Sequence, residues 1–204
     1  MSWVATSFAL LGLALAAGFA WWERTRPSSR EVALVAALAA LAALGRVAFA
    51  PIPNVKPTTD IVLLTGYVLG AGPGFATGAV AAIASNVVFG QGPWTPWEMA
   101  GWGLVGLMGA GLGAATGRRV GRFGLALYCA LAGFVYGGLL DVSVWVGYTG
   151  EHTASQYLLV SGSSLPFNVA HATGNFVFCF AFGPAFVRAL ERFRMRLHVV
   201  WRPA

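Results

Sequence analysis

The stretch EVALVAALAALAALGRVAFA, Glu31 to Ala50, carries one acid at its start, one arginine at position 46 and otherwise apolar or small side chains. A helix of about 20 such residues spans the ~30 Å hydrocarbon core of a bilayer. Comparable runs recur at approximately 3–22, 59–72, 74–90, 98–117, 123–147 and 164–187, seven in all with 31–50. Of the 204 residues, 57% are hydrophobic and 10% charged, and the mean hydropathy is +0.70. A soluble domain of this size carries about 25% charged residues. A water-exposed globule is therefore excluded, and the expectation is one all-α, polytopic transmembrane bundle.

The third and fourth runs are short and flank Ala71-Gly72-Pro73-Gly74, which reads as the tight turn of a helical hairpin. Gly101, Gly103, Gly106, Gly109, Gly111 and Gly113 favour close approach of membrane helices. Met1-Ser2-Trp3 is uncharged and the positive residues Arg24, Arg26 and Arg30 follow the first run, the reverse of a secretory signal. The first run is thus expected to be a retained helix with its N-terminus outside.

Threaded from that start, the inner segments hold Arg24, Arg26, Arg30, Arg118, Arg119, Arg122, Arg188, Arg192, Arg194, Arg196 and Arg202, eleven of the 13 basic residues. The net charge of +6 therefore reads as a positive-inside signature and not as a nucleic-acid surface. The C-terminus is placed in the cytoplasm, where Arg188 to Arg202, with Phe193, Leu197, Val200 and Trp201, reads as a solvated helix end or an amphipathic helix on anionic lipid. Cys129 and Cys179 lie in apolar runs without CxxC spacing, which argues against a disulfide framework or a structural zinc site and for small packing residues. His152, His171 and His198 have no metal-binding local spacing, so no metal site is expected.

Polar side chains inside spans each cost about 2.5–3.5 kcal/mol on insertion scales and mark function or interhelical glue. Arg46 and Asn86 fall toward the outer ends of their runs, and Glu98 and Trp102 open the fifth run one turn apart. Asp141, Trp145 and Tyr148 share a helix face, and Ser164, Asn168, His171 and Asn175 form a stripe on the outer half of the last run. The inner halves hold little comparable. This asymmetry points to a polar, aromatic-walled cavity open to the outside. For single residues other roles stay open: Arg46 snorkelling to the interface, Asp141 pairing with Arg46, and His171 as a structural hydrogen bonder.

Two outer loops complete the pattern. Pro51 to Asp60, stiffened by three prolines, includes Asn54 and Lys56, and Thr58 or Thr59 is placed to cap the following helix. Gln91 to Glu98 presents Trp94 and Trp97 between prolines, as an interfacial belt or as a lid. No HExxH, GxSxG or Walker A pattern is present, and the GxGxxG letters at Gly101–Gly106 lie within a membrane run. Pumping would thus require a partner or an ion gradient.

With these loops, the small-xxx-small steps Ala33–Ala37, Ala36–Ala40 and Ala39–Ala43, Gly78, Ser85-Asn86 and the late Asn168, His171 and Asn175, residues 31–190 resemble the S component of energy-coupling factor (ECF) vitamin importers. The resemblance implies a six-helix core that binds a vitamin or related micronutrient from outside a prokaryotic plasma membrane. It also implies docking on a membrane coupling subunit driven by two cytoplasmic ATPase subunits, with ATP consumed there and no cofactor on this chain. Ala33, Ala36, Ala37 and Ala40 would form the docking face, and Asn54 to Asp60 the gate. Residues 1–30 would be an additional helix with a basic loop, and 191–204 a basic tail. A similar tryptophan-rich loop in cobalamin carriers makes a corrinoid the first candidate substrate. Riboflavin, thiamine or a deazapurine precursor suits the aromatic residues equally. Two other classes stand beside this one: an intramembrane enzyme using His171 and Asp141, and a membrane scaffold whose polar residues join helices.

Overall fold

The computed structural model describes residues 3–150 and 152–197; Glu151, His198, Val200, Trp201 and Arg202 lie outside the described residues. The described chain forms helices only: α1 (Trp3–Arg24), α2 (Ser29–Ala48), α3 (Thr58–Leu69), α4 (Ala71–Phe89), α5 (Thr95–Thr116), α6 (Arg122–Tyr148) and α7 (Ala154–Leu197). Six of these are long and apolar enough to cross a membrane.

The exception is α3, the third of the seven apolar runs and one of the two that the sequence marks as short. Its 12 residues extend about 18 Å, short of a ~30 Å hydrocarbon core. It is instead the most enclosed helix, buried continuously from Val62 to Val68 and packed by α2, α4, α5, α6 and α7. The missing length is made up by the 49–57 connection, which folds back into the bundle. Thr58 Oγ1 donates to the Ala42 carbonyl at 3.0 Å, well below the last turn of α2, and Pro57 lies against Gly45. Irregular backbone at such depth is tolerated because protein surrounds it. Thr58 and Thr59 therefore cap nothing: Pro57 is the N-cap residue, and both hydroxyls bond other helices. Asp60, expected in the gate loop, sits in the first turn of α3 and is buried.

The hairpin turn also lies elsewhere than expected. Gly70 alone makes it, at φ 101°, a conformation open to glycine, whereas Gly72, Pro73 and Gly74 belong to the first turn of α4. Those small residues serve packing. Gly66 of α3, Gly74 of α4 and Gly106 of α5 meet backbone to backbone, and Gly109 and Gly113 continue the contact along α3 at Leu63 and Tyr67. Gly111 faces open space.

The last helix starts ten residues earlier than the sequence suggests and continues through the basic segment to Leu197. Ser163 and Ser164 satisfy their hydroxyls on Val160 and Ser161 carbonyls, so this polar stretch remains helical. Pro166 and Pro184 are accommodated inside it, each removing one rung of the ladder. Residues 191–197 are the last turns of this helix.

The α1–α2 connection, the α3–α4 turn and the end of α7 enclose one pocket that includes Arg26 and Arg194; Arg118 joins Arg194 in the next. The arginines thus gather at one end of the bundle. Ser28 caps α2 there by accepting from the Glu31 N–H, at 3.2 Å. Helix α1 lies on the periphery against α4, α5 and α6, and Leu15 is its buried residue.

Replacing Gly106 by valine drives a side chain into the α3 and α4 backbones and should destabilise the protein by about 1–3 kcal/mol or more. Thermal unfolding in detergent checks this, with Gly111→Val expected to unfold close to wild type.

Candidate functional site

Opposite the arginine-rich end, α2 finishes, α4 finishes and α5 begins, and each contributes to one buried network. Arg46 donates to Glu98 (Nη2–Oε1 2.6 Å), to Asn86 Oδ1 at 2.7 Å and to Ser85 Oγ at 2.8 Å. Asn86 in turn donates to Glu98 Oε2 at 2.7 Å and to Thr95 Oγ1 at 3.0 Å, and Thr95 donates to Gln91. The guanidinium also lies 4.7 Å from the centre of the Phe89 ring and 4.9 Å from that of Trp102. Arg46 is 7% exposed, so it does not snorkel, and its partner is Glu98 and not Asp141.

Trp102 carries the network inward. Its Nε1 donates to Thr59 Oγ1 at 3.1 Å, and Thr59 Oγ1 lies 2.8 Å from His171 Nε2. Tyr136 of α6 is stacked between Trp102 and His171, with ring centres 4.6 and 5.6 Å away. The sequence reading named Trp102 and His171, placed Thr59 in the gate segment and quoted Ser85 beside Asn86 without a binding role, but missed Tyr136. A usable signal for Tyr136 was its helix face. Gly133 and Gly137 beside it let α7 approach, Gly133 against His171 and Asn175 and Gly137 against Asn168.

The α7 stripe does not act as one unit. Asn168 donates to Asp141 at 3.3 Å and to Ser164 at 3.1 Å, His171 joins the Thr59 group, and Asn175 reaches deeper toward the Cys129 carbonyl. Trp145 braces the α6–α7 connection, donating to the Thr153 carbonyl and meeting Tyr157 edge-on. Among the described residues, no hydrogen bond links His171 to Asp141 or to Ser164.

Beside the network lies a cavity of about 440 Å³, walled by Trp94 and Trp97 from the start of α5, Ser143 and Tyr148 from α6, and Val4, Ser7 and Phe8 from α1. Its lining is mostly apolar. Ser7 and Ser143 donate to their own helix, at the Val4 and Leu140 carbonyls, and so offer a ligand acceptors. Trp97 faces this space while its neighbour Glu98 holds Arg46, so the ion pair fixes the cavity wall. Chemically, the site provides aromatic surfaces for a flat ligand and no obvious nucleophile–base pair.

The 49–57 loop contributes no residue to the lining of that cavity and packs instead against α2 and α7. Asn54, at φ 57°, donates to the Phe167 carbonyl at 2.6 Å, and Val55 rests on Gly174. Lys56 is half-buried, and desolvation, with the Arg46 charge second, lowers its pKa to about 8, against a raising effect of Glu98. On α2, Ala33, Ala36, Ala37 and Ala40 are exposed while Ala39 and Ala43 pack inward.

No protein-family model matches the chain, and no curated protein or solved structure does so either.

Glu98→Gln leaves the Arg46 charge buried without its counter-ion and should destabilise by about 3–5 kcal/mol; adding Arg46→Met should recover part of that loss. A double-mutant cycle on detergent unfolding measures the recovery. For Lys56, the folded pKa lies below the unfolded one, so the penalty of burying its charge is complete below pH 8 and fades as the pH rises toward 10.5. Lys56→Met should therefore unfold at a higher temperature than wild type at pH 7, with the gap narrowing by pH 10.

Proposed function

We propose that the chain is the substrate-binding subunit, or S component, of an ECF-type vitamin importer, inserted with its arginine-rich end in the cytoplasm and its N-terminus outside. The observation that carries this reading is the aromatic cavity at the end remote from Arg26, Arg118 and Arg194, held by the buried Arg46–Glu98 pair. Placement of that end outside follows from the positive-inside rule.

In this reading a solute enters beside Trp94, Trp97 and Tyr148 and stacks on them. The 49–57 loop, with Asn54 and Lys56, is the gate, anchored by one side-chain hydrogen bond that breaks without disturbing the helices. The additional helix α1 supplies Phe8 and Ser7 as a third wall, which gives the segment outside the six-helix core a role in binding. A flat heteroaromatic vitamin such as riboflavin or thiamine suits the volume as it stands; a corrinoid is larger and needs the gate withdrawn. The exposed Ala33, Ala36, Ala37 and Ala40 offer the close helix contact that a coupling subunit requires, and ATP is spent by its two ATPase partners.

A scaffold role draws on one observation, that Arg46, Glu98 and Asn86 satisfy one another. A scaffold has no use for the aromatic cavity beside them. The intramembrane enzyme is less supported, because His171 and Asp141 each have other partners.

Tryptophan-fluorescence titration of the purified chain with cobalamin, riboflavin and thiamine tests the proposal. One of them should bind with micromolar or better affinity, and Trp94→Ala and Phe8→Ala should each weaken it about tenfold, or ~1.4 kcal/mol. Val87→Ala, on the outer surface, should not. Ala37→Leu should keep binding and lose ATP-driven uptake. Folded protein that binds none of the panel would contradict the reading.

A further inference from the structure

Asp60, Cys129 and Cys179 stand on three different helices, α3, α6 and α7, and converge inside the bundle. A carboxylate oxygen and the two sulfurs lie within 4.8 Å of one another, and all three residues are buried. Neither oxygen of Asp60, itself only 4% exposed, accepts a hydrogen bond of good geometry, the Cys129 thiol being the weak donor beside it. One turn before Cys179, Asn175 is fully buried and reaches the Cys129 carbonyl with Nδ2 at 3.5 Å, while its Oδ1 also lacks a partner. Buried polar oxygens are rarely left so. Among the described residues the one buried cation is Arg46, and it is committed to Glu98.

We propose that Asp60, Cys129 and Cys179, with the Asn175 amide oxygen as fourth donor, bind one thiophilic divalent cation of the zinc class. Zinc takes thiolate sulfur at about 2.3 Å and carboxylate oxygen at about 2.0–2.2 Å in a tetrahedron, which sets two sulfurs roughly 3.8 Å apart. The two sulfurs and the carboxylate oxygen, all within 4.8 Å of one another, need to close by at most about 1 Å to reach that spacing. Sulfur donors select zinc or cadmium over magnesium or calcium. On binding, the cation replaces the two thiol protons and the Asp60 carboxyl proton, which leave to water, and no redox step is involved. Two thiolates and one carboxylate around a divalent cation leave a net charge of −1, far below what the same three anions would carry without the cation in a low-dielectric interior. A cavity of about 180 Å³, bordered by Leu41, Pro57 and Phe182, reaches the ligands Asp60 and Cys179. The site would tie α3 to α6 and α7, and it is independent of the solute-binding reading. Local spacing could not reveal it, because each donor comes from a separate helix.

The test uses the full chain in detergent, stripped with chelator under reducing conditions and titrated with cadmium, then with zinc. The expected result is a cadmium–thiolate charge-transfer band that saturates at one equivalent and is displaced by zinc. The Cys129→Ser/Cys179→Ser variant should lose it, and Asp60→Asn should bind at least tenfold more weakly. As a measurement free of variants, zinc should slow alkylation of both thiols in the wild-type protein. The proposal is overturned by the absence of a band from monodisperse wild-type protein, by a band that survives loss of both cysteines, or by alkylation that zinc leaves unchanged. Undiminished cadmium affinity in Asp60→Asn would equally overturn it, leaving Asp60 as a protonated acid.

Discussion

The buried ion pair between Arg46 and Glu98 is the interaction on which the half of this bundle remote from the basic connections depends. Each charge alone would be expensive inside a membrane, at about 2.5–3.5 kcal/mol on insertion scales. Together, with Asn86 bridging to Glu98 and Ser85 filling a further donor, nearly every polar atom is answered. The pair joins the last turn of α2, the last turn of α4 and the first turn of α5. Because Trp97 and Trp102 sit one residue before and one turn after Glu98, fixing that carboxylate fixes two aromatic rings. One of them borders the outer cavity and the other carries the hydrogen-bond chain to Thr59, Tyr136 and His171.

The deeper part of the bundle works by a different principle. Glycines on α3, α4 and α5 remove side chains where the helices cross, and the backbones touch. Such packing replaces the hydrophobic driving force that helices lack in lipid. It also explains why α3 can be too short to span: enclosed by five helices, it needs no lipid contact along its length. The price is a connection, residues 49–57, that must descend into the bundle, and this descent brings Lys56 and Asn54 toward the polar network.

Much of this was legible in the sequence, and the reasons differ by feature. Span positions and the clustering of arginines depend on local composition, so runs such as 31–50 and the Arg118–Arg122 segment could be read directly. The depth of Arg46, Asn86, Glu98 and Trp102 followed from counting along helices, and those residues do meet. Their partners were less accessible: the one partner that the sequence reading offered Arg46 was Asp141, whereas the tertiary geometry pairs it with Glu98. The hairpin turn was misplaced because Gly72-Pro73-Gly74 has turn composition but sits in a first helical turn, where proline needs no donor. The start of α7 was missed because its serines look like a loop until their hydroxyls are seen bonding back to the helix. Convergence of Asp60 with two cysteines from other helices left no linear trace at all.

The account centres on capture of a small solute at the end of the bundle remote from its arginines, in the space between α1, α5 and α6. Its most direct test is the small molecule released on denaturing the chain purified from its native membrane, identified by mass spectrometry for wild type and for Tyr148→Ala. The account predicts a water-soluble heteroaromatic vitamin or corrinoid near one equivalent in wild type and strongly depleted in the variant. Folded wild-type protein that releases only lipid, or a vitamin retained equally by Tyr148→Ala, would contradict it.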